Sequence, residues 1–103
     1  MEVKWTEKAI SEYNKVIDYS LSEFGRSATT DLSKRVEKAV AKISKYPSAS
    51  PLFTSVEIPN HIFRNITLKG PLSLIYEERE DFCIVHTIWN SNMHPSRLTK
   101  ILK

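Results

Sequence analysis

The sequence predicts an α+β domain in which an N-terminal antiparallel helical hairpin lies on a small, mainly antiparallel sheet of three to four strands. Three observations predict it. Two apolar stripes at helical spacing occupy the first half, with Gly25 between them. Three β-prone runs separated by turn signals occupy the second half. The segment joining the halves is no domain boundary, because neither half buries a core alone, so the 103 residues are expected to form a single domain, 1–103.

Val3 to Trp5 is a short β-prone opening that can supply an edge strand. Thr6 caps the first helix, and Glu7 sits near its positive end. Ile10, Tyr13, Ile17, Leu21 and Phe24 recur every three or four residues and mark one face of that helix. Gly25 supplies the positive φ that stops it. The second helix starts at Ser27, shows Leu32, Val36, Ala39, Val40 and Ile43 on its apolar face, and ends before Pro47. So short a link between amphipathic helices favours an antiparallel hairpin.

Pro47 to Asn60 holds three of the five prolines and reads as an irregular connection. Ile62, Arg64, Ile66 and Leu68 then fall on one strand face, and Phe63, Asn65 and Thr67 on the other. Gly70-Pro71 turns the chain into Leu72 to Tyr76, and the acidic stretch Glu78 to Asp81 turns it into Phe82 to Trp89. Asn90 to Pro95 is polar. Ser96 to Lys103 is a short basic tail whose Leu98, Ile101 and Leu102 are available for docking.

Composition narrows the function classes. Hydrophobic residues at 41% and charged residues at 26% exclude a disordered chain. No apolar run reaches membrane-spanning length and no apolar h-region follows the N-terminus. The single cysteine, Cys83, cannot form an internal disulfide. The expected setting is therefore the cytoplasm, with no membrane partner. The net charge of +3 is uneven: residues 58–76 contain Arg64 and Lys69 and no acid, whereas residues 77–81 sum to −3. The acid-free strands can attract an anion, a nucleic acid or an acidic segment, or simply keep the surface soluble.

No phosphate-binding glycine loop, CxxC, HExxH or G-x-S-x-G occurs. His61, His86 and His94 match no metal-ligand spacing, and Cys83 and His86 fall on opposite faces of one strand, so no metal or cofactor is expected. Arg64 is unusual within an apolar strand pattern. Its charge must reach water, pair with a carboxylate such as a hairpin glutamate, or line a functional face that grips phosphate or carboxylate. Trp89-Asn90-Ser91-Asn92-Met93-His94-Pro95 places polar groups beyond a strand end, where His94 could move a proton and Asn92 could hydrogen-bond. The competing reading is a turn that caps the tail. Trp89 and Tyr76 could stack on bases, but aromatics in strand patterns are usually core.

The order and spacing of these features resemble the RelE/ParE superfamily, bacterial toxins of type II toxin–antitoxin systems that include plasmid stabilisation proteins. The resemblance runs through Val3-Lys4-Trp5-Thr6, Ala9, Tyr13, Ile17, Tyr19, Phe24-Gly25 and the Ile43 to Pro47 helix exit. It continues at Phe63-Arg64-Asn65, Leu74-Ile75-Tyr76, Ile84 to Trp89 and His94-Pro95-Ser96-Arg97-Leu98. It implies a growth-inhibiting toxin neutralised by a cognate antitoxin, as a homodimer or as a heterotetramer with that antitoxin. The implied target is either DNA gyrase or ribosome-bound mRNA.

RNA cleavage in such toxins needs no metal: a 2′-hydroxyl attacks the adjacent phosphate, helped by a proton acceptor, a proton donor and cations. The resemblance assigns this work to Arg64, Tyr76, Asn92 and His94. Asn92 stands where an arginine is usual, His94 where Asn or Asp is usual, and Glu77 where a basic residue is common. Those departures favour a non-catalytic degenerate toxin that only binds an antitoxin or another partner over an unmodified mRNA endonuclease, while the long helical hairpin looks more ParE-like than RelE-like.

Overall fold

The structure is a computed structural model that describes residues 1–102; Lys103, the last residue of the expected basic tail, lies outside the described residues. In chain order the elements are β1 (Glu2–Trp5), α1 (Glu7–Lys45), β2 (Leu52–Phe53), β3 (Phe63–Lys69), β4 (Leu72–Glu78), β5 (Phe82–Asn90) and α2 (Pro95–Leu102).

α1 is the expected hairpin. The Thr6 hydroxyl accepts the Ala9 N–H at 2.9 Å and caps its start. Gly25, at φ 87° and ψ −177°, breaks the helical path into two arms in a region essentially reserved for glycine. The pairs Tyr13–Ser33 (3.4 Å) and Ser20–Thr29 (2.9 Å) converge on that break, which makes the arms antiparallel. The second arm buries Leu32, Val36, Ala39 and Ile43, the stripe expected of it.

The first arm differs from expectation. Ala9 and Ser20 are its buried residues, and Tyr13, Val16 and Ile17 are partly covered. Ile10, Leu21 and Phe24 stay 48%, 52% and 66% exposed. The stripe Ile10–Tyr13–Ile17–Leu21–Phe24 is thus only partly the inner face. The end near Gly25 carries apolar side chains, Leu21 and Phe24, that stay largely exposed among the described residues.

The five strands lie in the order β1-β5-β4-β3-β2, with β1 parallel to β5 and the rest antiparallel. The edge strand expected at Val3 to Trp5 forms, and the two-residue β2 adds a fifth strand inside the proline-rich connection. One sheet face packs Leu68, Leu74, Tyr76, Cys83, Val85 and Ile88 under the hairpin. The other packs Phe63, Ile75 and Trp89 against Val56 and α2. Trp89 and Tyr76 are core residues, 7% and 0% exposed. Burial pushes the Cys83 thiol above its usual pKa, with Glu78 adding to the shift.

The terminal segment expected as a basic tail is a helix. Pro95 occupies its first position, where a missing N–H costs nothing. Leu98 and Leu102 are buried against the second face. This helix turns a two-layer expectation into a three-layer domain.

Candidate functional site

Arg64 and Tyr76 sit opposite each other in the β3–β4 register. Each is engaged by the connection after α1: Arg64 Nη1 donates to the Ser50 carbonyl at 2.7 Å, and the Tyr76 hydroxyl donates to the Pro47 carbonyl at 2.7 Å. The expected carboxylate partner of Arg64 is replaced by this backbone carbonyl, which satisfies the charge without a hairpin glutamate. Burial raises the Tyr76 phenol above its usual pKa, against the opposing pull of Ser50 and the Arg64 charge. At neutral pH Tyr76 is a neutral donor holding a strap of chain.

Asn92 and His94 lie elsewhere. Tyr76 faces Val85, and β5 runs five residues further to Asn90 before that turn begins. At about 3.3 Å per residue, the two pairs stand roughly 15 Å apart along the sheet. Asn90, not Asn92, shapes the turn, because its side-chain oxygen accepts the Asn92 N–H at 2.9 Å. His94 Nδ1 accepts the Ser96 N–H at 3.1 Å and meets the Ser96 hydroxyl at 2.9 Å. That imidazole therefore caps α2, as in the turn-and-cap reading of this segment. The four residues named from the resemblance form two separate pairs and no common centre.

The structure assembles a different polar cluster around Glu77, whose side chain is 7% exposed. Its Oε2 meets His61 Nδ1 at 2.8 Å, and its Oε1 meets His86 Nε2 at 3.0 Å and Arg79 Nη2 at 3.2 Å. Phe63 lies between the imidazoles, stacked on His61 and edge-on to His86. A register shift explains His86: one step from Ile75 to Tyr76 on β4 spans two steps on β5, from Thr87 to Val85. His86 is the extra residue of that bulge, and bulges re-aim side chains. Burial opposes charge on Glu77, but the bonds from His86, His61 and Arg79 outweigh it and lower its pKa. Burial lowers the His86 pKa, more than Glu77 raises it. Among the described residues no group of three or more His, Cys, Asp and Glu side chains is arranged to hold a metal.

The feature best placed to meet a partner is apolar. Between the hairpin's Gly25 end and the β4–β5 end of the sheet runs a groove of about 870 Å³. Val16, Tyr19, Phe24 and Leu32 form one wall, and Leu72, Ile88, Trp89, Met93 and Ile101 form the other. Tyr19 and Phe24 meet edge-on at 6.1 Å while remaining 63% and 66% exposed. Lys15, Lys69 and Arg97 stand around the groove with one acid, Glu12. Lys15 pairs with Glu12 and Lys69 with Asp31. Of the exposed residues of the first arm's stripe, Phe24 lines this groove, whereas Ile10 and Leu21 lie outside it. Phe24 is the member of the periodic stripe that reaches it, and whether that residue faced the core or a partner depended on how the arms sit over the sheet.

No family model matches the chain, and no curated protein matches it significantly. Among solved structures it is similar to a chain from the chromosomal ParDE TA system of P. aeruginosa, with a TM-score of 0.69 and 19% identity. The match covers 87% of this chain and 95% of that one. The two chains share a fold, at a sequence identity too low to show more than that. Among the described residues no helix is long and apolar enough to cross a membrane.

Proposed function

We propose that this chain is the toxin of a type II toxin–antitoxin pair, and that its antitoxin neutralises it by laying an apolar, acid-bearing segment into the groove between hairpin and sheet. The groove carries the proposal. It leaves Tyr19 and Phe24 largely exposed in a fold shared with a chain of a ParDE TA system. Apolar patches of this kind mark interaction surfaces. Arg97 favours an acidic side chain on the incoming segment, and the exposed Lys15–Glu12 and Lys69–Asp31 pairs are weak enough for their lysines to exchange partners.

The geometry supports action by binding more than RNA cleavage by the four residues named above. Arg64 and Tyr76 are engaged by backbone carbonyls, and His94 caps its own helix far from them. A cytoplasmic gyrase inhibitor, arresting growth when its antitoxin is lost, is the reading this favours. The same engagement also suits a degenerate toxin that keeps antitoxin binding and no toxicity.

Induced expression of the chain alone decides between them. Arrest relieved by the adjacent small reading frame supports the toxin, and unaffected growth with abundant folded protein supports the degenerate binder. Phe24→Asp should remain folded and toxic yet escape neutralisation; full neutralisation of that variant would remove the groove from the proposal. Loss of gyrase supercoiling in vitro with intact RNA supports the favoured target. New cuts in translated messages, mapped by primer extension, would replace it with mRNA.

A further inference from the structure

We infer that β1 is a self-complementary edge on which two copies of this chain pair antiparallel, joining their sheets around Val3. The strand stands at the end of the sheet order, so one of its sides is unpaired. The Thr6 N–H bonds to the Val85 carbonyl, which aims the backbone groups of Thr6 at β5. By the two-residue alternation of a strand, Lys4 and Glu2 also face β5, and Val3 and Trp5 face outward. Among the described residues β5 is the strand that pairs with β1, which leaves the outward N–H and C=O groups of Val3 and Trp5 without a ladder partner.

Charge selects the partner. Glu2 and Lys4 lie on one face of β1, exposed to 68% and 54%, with their charged ends 3.8 Å apart. Charged edge residues repel most incoming strands, because a like charge lands opposite one of them. A second β1 running antiparallel with Val3 against Val3 avoids this. It puts Glu2 of each copy opposite Lys4 of the other, in the close pairs that flank a hydrogen-bonded pair. The two Val3 residues exchange both N–H···O bonds, and the two-fold symmetry makes each charge pair occur twice. Val3 and Trp5 keep packing on the hairpin side, so pairing requires no refolding.

The interface is short, so the expected dimer is weak and is sought by sedimentation equilibrium of the chain alone at up to about 0.5 mM. Lys4→Glu should weaken the dimer roughly tenfold, because two attractive pairs become repulsive, and added salt should weaken the unmodified dimer. The charge swap Glu2→Lys with Lys4→Glu restores the complementarity and should restore the dimer. Both positions are exposed, so circular dichroism should show all variants folded. Register is read by mixing a Glu2→Cys chain with a Lys4→Cys chain: the mixture should form the crossed disulfide faster than either chain alone. A monomer throughout the concentration range, a dimer indifferent to Lys4→Glu, or crosslinking no faster in the mixture would overturn the inference. None of these results depends on toxicity or on the groove.

Discussion

Glu77→Gln tests the least expected feature of the domain. The carboxylate is 7% exposed and holds His61 with one oxygen and His86 and Arg79 with the other. Glutamine keeps one acceptor oxygen but loses the charge and turns an NH2 toward one imidazole. Hydrogen bonds to a charged group contribute about 1.5–3 kcal/mol each, and an amide retains part of that. Arg79 is half exposed and adds little. The expected net loss at pH 7 is about 2–3 kcal/mol, or roughly 10–20 °C in Tm for a domain of this size.

The pH dependence follows from the shifts. Glu77 has its folded pKa depressed, so its contribution is complete above the unfolded value of about 4.3 and is lost as pH falls through the folded value. His86 is also depressed when folded. The unfolded chain therefore binds its proton first, and stability begins to fall below about pH 6.5. Urea melts of both proteins from pH 8 to 3 should show the gap between them closing below pH 4, while the step that begins near pH 6.5 persists in the variant. A loss under about 0.5 kcal/mol at pH 7, or a gap that stays constant to pH 3, would refute the reasoning.

The other predictions concern the scaffold. Gly25→Ala meets no atom within 4 Å at its new Cβ, so its cost is backbone strain alone, about 1–3 kcal/mol by denaturant unfolding. Leu98→Ala empties a fully buried position between α2 and the sheet and should cost about 2–5 kcal/mol, whereas a docked tail would tolerate it. Tyr76→Phe strands the Pro47 carbonyl and should cost about 1–2 kcal/mol in a chemical melt. If the toxin acts by binding, growth arrest by Tyr76→Phe should match the parent chain; complete loss of arrest in a folded variant would restore Tyr76 as a functional residue.

The candidate site was legible in the sequence only in part. Phe24 was visible in the sequence as the last member of the first helical stripe, whereas Tyr19, its neighbour in the groove, falls outside that stripe. Periodicity reports a face but not what covers it. Arg64 drew notice as a charge within an apolar strand, and its acceptor lay 14 residues away in a connection with no predictable path. The Glu77 cluster left almost no trace. It joins His61 from a loop to His86 on a strand, and His86 reaches it through a bulge that no alternation pattern announces.

Local chemistry determined the elements and their breaks. Thr6 caps, Gly25 supplies a backbone conformation closed to other residues, and the strand runs alternate between two buried faces. These are short-range constraints, and they are written residue by residue. Tertiary structure decided the rest: that β1 pairs in parallel with β5, that the final residues become a helix closing the second sheet face, and that Arg64 and His94 stand at opposite ends. Each of these depends on contacts between segments distant in sequence. Their energies arise from shared burial and from acceptors on other elements, and a pattern confined to one segment carries neither.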